Sequence, residues 1–99
     1  MAYAIEFAAA VESHFCSLNA RQRRIVFDGI ERQLRHEPTV ETRHRKPMRP
    51  NPLAPWELRL GDLRVYYRVV ESPQPRVQIA AVGVKMREQI WIGGKRIDL

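Results

Sequence analysis

Cysteine is almost absent. Cys16 stands alone, so no internal disulfide can form, and a reducing, cytoplasmic setting is the expectation. No apolar run approaches the ~20 residues needed to cross a bilayer, which argues against a membrane role. The opening Met1-Ala2-Tyr3-Ala4-Ile5-Glu6 lacks the basic start and apolar stretch of a secretory signal. His14, His36 and His44 show no paired ligand spacing, so no metal site is expected. Only five glycines are present, and none builds a phosphate-cradling loop between strand and helix; no cofactor is expected. Lysine is scarce too: of seventeen cationic side chains only Lys46, Lys85 and Lys95 are lysine.

What is present is arginine. The chain of 99 residues carries a net charge of +6, with fourteen arginines among its cations. The guanidinium fork suits phosphate oxygens, and a small basic domain points to nucleic acid or an acidic partner. A solubilising surface would explain the total equally well, so the distribution of charge has to decide. An apolar share of 44% and a charged share of 28% are those of one globular domain, residues 1–99, rather than a disordered or fibrous chain.

Tyr3 to Phe7 alternates like a short half-buried strand. Phe7, Val11, Phe15 and Leu18 then recur at helical spacing, with His14 on the solvent side. Asn19, with Gln22 three residues on, makes a capping box that opens a second helix over about 20–36. Val26, Phe27, Ile30 and Leu34 form its apolar stripe, and Glu37-Pro38 ends it. The short link makes the two helices a hairpin. Residues 38–55 hold five of seven prolines together with Arg43, His44, Arg45, Lys46 and Arg49, which predicts an ordered, extended, basic loop. Trp56–Leu60 and Leu63–Val70 alternate strictly around Gly61-Asp62, and Val77–Val84 makes a third strand. The expected fold is α+β, in the order β-α-α-β-β-β. A two-helix hairpin packs on one face of a mainly antiparallel four-stranded sheet, followed by a short C-terminal tail.

Leu58, Leu60, Leu63, Val65, Tyr67 and Val69 then face the helices. The opposite face presents Glu57, Arg59, Arg64, Tyr66 and Arg68. Residues 43–68 carry seven cations against two acids, so most of the charge excess lies in about a quarter of the chain. That concentration favours anion recognition. Metal-free RNA cleavage fits such a face. Cations at the phosphate oxygens stabilise the transition state of 2′-OH attack, a crowded lysine can exchange a proton, and an aromatic such as Tyr66 or Trp91 can stack on an unpaired base.

The hairpin Trp56-Glu57-Leu58-Arg59-Leu60-Gly61-Asp62-Leu63-Arg64-Val65-Tyr66-Tyr67-Arg68-Val69 resembles that of the RelE/ParE superfamily of type II toxin–antitoxin toxins. So do the segment Val82-Gly83-Val84-Lys85-Met86-Arg87 and the spacing of two helices before the meander. The resemblance covers nearly the whole chain. It implies a toxin neutralised by a cognate antitoxin, most simply a metal-independent endoribonuclease cutting mRNA on the ribosome. A ParE-like gyrase inhibitor and a non-catalytic antitoxin-binding module are the other two readings. Carried over by position, the implied centre is Arg59, Arg64, Lys85, Arg87 and Trp91. Arg43, Arg45, Lys46, Arg49, Tyr66 and Arg68 are the candidates for holding RNA. Two positions depart from the RelE-like pattern: Glu57 replaces a lysine, and Trp91 replaces a frequent tyrosine, so phosphate binding carries over better than proton transfer. Strict alternation also puts Lys85 with Val77 and Ile79. A bulge or strand end near Gly83 is needed to turn it toward the arginines.

Overall fold

The computed structural model describes residues 2–99. Seven strands and two helices follow in the order β1 (Ala4–Phe7), α1 (Val11–Cys16), α2 (Ala20–Leu34), β2 (Arg45–Pro47), β3 (Trp56–Leu60), β4 (Leu63–Val70), β5 (Arg76–Met86), β6 (Gln89–Ile92) and β7 (Lys95–Ile97). They form one sheet in the order β2-β3-β4-β5-β6-β7, with β1 added parallel to β5 and every other pairing antiparallel. The α+β character and the antiparallel meander match the sequence reading; the four-strand count does not. The basic loop contributes β2, and the expected tail is a hairpin. Gly93 and Gly94, both at positive φ, close it, and Arg87 and Glu88 at φ 51° and 66° turn the chain into it.

α1 begins later than the sequence suggests, because Phe7 stays in the strand and Ala8 to Ala10 form a turn. α2 starts at the expected capping box: Asn19 Oδ1 accepts from Gln22 N at 2.8 Å, and Gln22 Oε1 accepts from Asn19 N at 2.9 Å. It ends at Leu34, two residues short of the expected end. Val26, Ile30 and Leu34 are buried as its stripe, but Phe27 is 46% exposed.

The helix-side core joins those residues to Val11, Leu58, Val65, Tyr67, Val77, Ile79 and Val82. Burying each large aliphatic is worth ~1.5–3 kcal/mol, which is what holds the helices on the sheet. Tyr67 stacks on Trp56 at 6.2 Å and donates its hydroxyl to the buried carbonyl of Pro38 at 2.6 Å. The start of the basic loop is thereby fixed to β4.

β5 is the hub. β4 runs along one edge, while β1 and β6 share the other, β1 against Arg76–Ile79 and β6 against Gly83–Met86. At the gap between them His14 is turned inward, and its Nδ1 accepts the backbone N–H of Val82 at 3.3 Å. The expected solvent-facing position is corrected: the imidazole occupies a place in the hydrogen-bond ladder that no strand fills. The register slips between Tyr66 and Tyr67, where Tyr66 pairs with Ala81 and Tyr67 with Ile79, leaving Ala80 as a bulge. The required parity change therefore occurs three residues before Gly83. Beyond it Val82 and Val84 face the helices, while Ala81, Gly83 and Lys85 face the other side.

Candidate nucleic-acid interface

The face turned away from the helices is only partly open. Tyr66, Ala54, Ala81 and Ile92 form a second small core there, covered by Met48 and Leu53 of the loop and by Ile90 and Ile97 of the C-terminal hairpin. Tyr66 is fully buried, and its hydroxyl has no hydrogen-bond partner. Burial first, and the charge of Glu57 second, push its ionisation well above the ordinary tyrosine range. The expectation that Tyr66 stacks on a base is thus corrected: the loop and hairpin that cover it lie too far away in the chain for local alternation to reveal them.

β3 and β4 bring Glu57, Arg59 and Arg64 together. Arg59 and Arg64 are cross-strand neighbours, as are Glu57 and Tyr66. Glu57, its side chain 10% exposed, accepts from Arg59 Nε at 2.7 Å and lies 4.0 Å from Arg64 Nε. Arg64 is just as buried, and its Nη1 donates to the carbonyls of Gly61 at 2.6 Å and Leu63 at 2.9 Å. It clamps the β3–β4 turn rather than facing solvent. Arg59 keeps a side chain 49% exposed, so Glu57 orients it without covering it.

The proline-rich loop supplies the next cation. Asn51 organises it: Nδ2 donates to the carbonyls of Arg49 and Ala54 at 2.7 and 2.9 Å, and Oδ1 accepts from the N–H groups of Leu53 and Ala54 at 2.8 and 3.1 Å. This asparagine turn was missed by sequence reasoning, although Pro50-Asn51-Pro52 is a signal for it. It leaves Arg49 exposed beside Arg59 in an open cleft of about 640 Å³, which Pro47, Pro50, Glu57 and Leu99 also line. A neighbouring cleft of about 270 Å³ joins Arg49 to Arg68. Arg68 is exposed and donates Nη2 to the Leu53 carbonyl at 3.1 Å.

The remaining sequence candidates separate into other groups. Lys85 lies on the arginine side at the β3–β4 hairpin end, where its N–H donates to the Asp62 carbonyl at 2.7 Å and its Nζ lies 3.5 Å from Glu88. Arg87 is exposed in the β5–β6 turn. Arg43 is exposed before β2, and Lys46 lies 3.6 Å from Glu41. Two placements differ from expectation. Arg45 reaches toward α2, donating Nε to the Val40 carbonyl and Nη1 to the Gln33 carbonyl, both at 2.8 Å, so it is a strut between loop and helix. Trp91 pairs with Val84, which packs into the helix-side core, so its indole lies on the side of the sheet opposite Arg59 and Lys85. Cross-strand register fixes that side, and the tail's pairing could not be read from alternation.

Three exposed or half-exposed arginines, Arg49, Arg59 and Arg68, therefore line two clefts that share Arg49. They can bind phosphates in succession and neutralise charge that develops on one of them. The cleft carboxylate, Glu57, is occupied by arginine. Among the described residues no group of three His, Cys, Asp or Glu side chains could hold a metal ion, and no helix is long and apolar enough to cross a membrane. No protein-family model matches the chain, and no curated protein matches it either.

Proposed function

We propose that the chain is a toxin of the RelE/ParE kind that binds translated mRNA on the ribosome through the Arg49–Arg59–Arg68 clefts and cleaves it without metal. The observation that carries this reading is that exposed Arg49 lines two clefts, one with Arg59 and the other with Arg68, with Glu57 orienting Arg59 rather than cancelling it. In 2′-OH attack the scissile phosphate gains negative charge. Arg59, fixed by its carboxylate, needs little reorganisation to meet that charge. Lys85, at the hairpin end on the same side, is the candidate for proton exchange, with Arg87 beside it at the turn. A cognate antitoxin is the proposed partner.

Induced expression tests this directly. Growth should stop and translated mRNA should acquire new 5′ ends, and Arg59→Ala should relieve both. Growth arrest with intact mRNA, or DNA breaks and an SOS response in its place, would remove the nuclease reading. A second reading has its own support: Tyr66 is buried and Trp91 faces away, so neither aromatic candidate reaches the clefts. That arrangement favours a non-catalytic antitoxin-binding module, which predicts no growth effect even without antitoxin and tight binding to the protein encoded by a neighbouring gene.

A further inference from the structure

Met48 lines both of the clefts that share Arg49. It is half-buried, and it also packs on the small core of Tyr66, Ala54, Ala81 and Ile92. Its backbone is pinned, the N–H donating to the Pro55 carbonyl at 2.8 Å. Its sulfur is engaged too: Asn51 Nδ2 donates to Sδ at 3.9 Å. That same amide fastens the loop through the carbonyls of Arg49 and Ala54. A thioether is a weak acceptor, so the contact with sulfur takes little from those two bonds.

An oxygen on that sulfur would reverse the balance. A sulfoxide is polar and a strong acceptor, and it no longer suits a seat on an apolar core. Two donors belong to its surroundings. One is Asn51 Nδ2, already at the sulfur; the other is the Tyr66 hydroxyl, buried without a partner in the core that Met48 covers. Asn51 can serve a strong new acceptor only by loosening its hold on the loop carbonyls. The position of Arg49 depends on that hold directly. Arg68 depends on it at one remove, because its Nη2 donates to the carbonyl of Leu53, whose own N–H is bound by Asn51 Oδ1. Arg59 does not depend on it, being held by Glu57 on β3.

We propose that Met48 is an oxidation site whose sulfoxide unfastens the Asn51 loop and so withdraws Arg49 and Arg68 from the clefts. The oxidant is a hydroperoxide, hydrogen peroxide in the simplest case, and the open clefts give so small a molecule access to the side chain. A lone pair on Sδ attacks one peroxide oxygen. The S–O bond forms as the O–O bond breaks, and the departing hydroxide takes the proton of the transferred oxygen and leaves as water. Sulfur gives up the electron pair that the peroxide gains. A thiol-dependent reductase returns the sulfoxide to the thioether, so the change is reversible. The chain carries its own controls. Met86, at the end of β5, is 50% exposed and Cys16 is exposed on α1, yet neither lines a cationic cleft. The consequence for RNA rests on the clefts being the RNA site; the chemistry at sulfur and the loosening of the loop do not.

The full chain is treated with hydrogen peroxide until mass spectrometry shows one added oxygen on the Met48 peptide. Two readouts follow. Amide hydrogen exchange at Leu53 and Ala54, whose N–H groups donate to Asn51 Oδ1, should quicken by about tenfold or more. Fluorescein-labelled single-stranded RNA, followed by anisotropy, should bind more than about tenfold more weakly, beyond the loss of one charge-assisted contact. Its log–log salt slope should become shallower by about 1.4, the share of two phosphate contacts. Met48→Leu, a swap of similar volume, should show the same exchange and the same affinity before and after peroxide. Met86→Leu and Cys16→Ser should respond as the wild type does, and methionine sulfoxide reductases with a thiol reductant should restore both readouts. The inference fails if Met48→Leu still responds, if Met86→Leu or Cys16→Ser abolishes the response, or if oxidised Met48 leaves the two amides unchanged. Faster exchange with undiminished RNA binding would overturn it as well. A chain that binds no RNA in either state would remove the RNA reading instead, and the exchange rates would then decide whether the sulfoxide unfastens the loop.

Discussion

Arg59 and Arg64 are the same side chain at adjacent places in a hairpin, yet their surroundings give them different work. Arg64 is buried against two turn carbonyls, and Arg59 is half open beside a bound carboxylate. Arg64→Ala should therefore cost about 2 kcal/mol of stability in urea denaturation, because the turn carbonyls and Glu57 lose a buried donor. Its effect on RNA affinity in a filter-binding assay should be the smaller of the two. Arg59→Ala should weaken RNA binding about tenfold, the loss of one charge-assisted contact, and should also lower the urea midpoint, because the nearly buried Glu57 carboxylate loses its hydrogen bond. The tyrosines divide in the same way. Tyr67→Phe strands the Pro38 carbonyl and should destabilise by ~1–2 kcal/mol, whereas Tyr66→Phe removes a hydroxyl with no partner and should be neutral or stabilising by thermal melting. Strict alternation assigned each tyrosine to its side of the sheet. It could not show that the side carrying Tyr66 is roofed by residues thirteen positions before it and thirty-one after it, Leu53 and Ile97.

The elements most legible in the sequence are those specified by neighbouring residues. The capping box of α2 and the β3–β4 hairpin stand where their own side chains predict them. β2, β6 and β7 escaped because their three or four residues, unlike those of β1, show no apolar–polar alternation of their own. They exist by virtue of the edge they pair with. α1 is legible in the spacing of Val11, Phe15 and Leu18, but the inward turn of its His14 answers a gap on β5 and not a periodicity of its own. Burial lowers the His14 pKa below its ordinary 6.5. The folded state therefore disfavours the charged imidazole, and a proton on Nδ1 would also forfeit the Val82 hydrogen bond. Stability should be level above about pH 6.5 and decline as pH falls below it, where the unfolded chain takes up the proton first. His14→Gln should flatten that part of the pH profile in chemical denaturation.

For the molecule as a whole, charge was the most readable property and its arrangement the least. Counting residues located the excess between 43 and 68. Folding then divided those seven cations into a strut at Arg45, a clamp at Arg64, Lys46 paired with Glu41, Arg43 exposed before β2, and an exposed trio at Arg49, Arg59 and Arg68 along the clefts. RNA lying along the clefts should release counterions chiefly from the trio. A plot of log affinity against log salt should thus have a slope near −2, the value expected for three phosphate contacts, and far shallower than the chain's net charge would suggest. Arg49→Ala should reduce that slope by about 0.7.

The extra residue at Ala80 has a consequence of its own. Excising that one codon would exchange inside for outside from Ala81 onward. Val82 and Val84 would emerge into water, Lys85 would be driven against the helices, and the C-terminal hairpin would inherit the inverted order through its pairing with β5. A deletion of one alanine, the mildest of side chains, should therefore be more damaging than the loss of any single arginine.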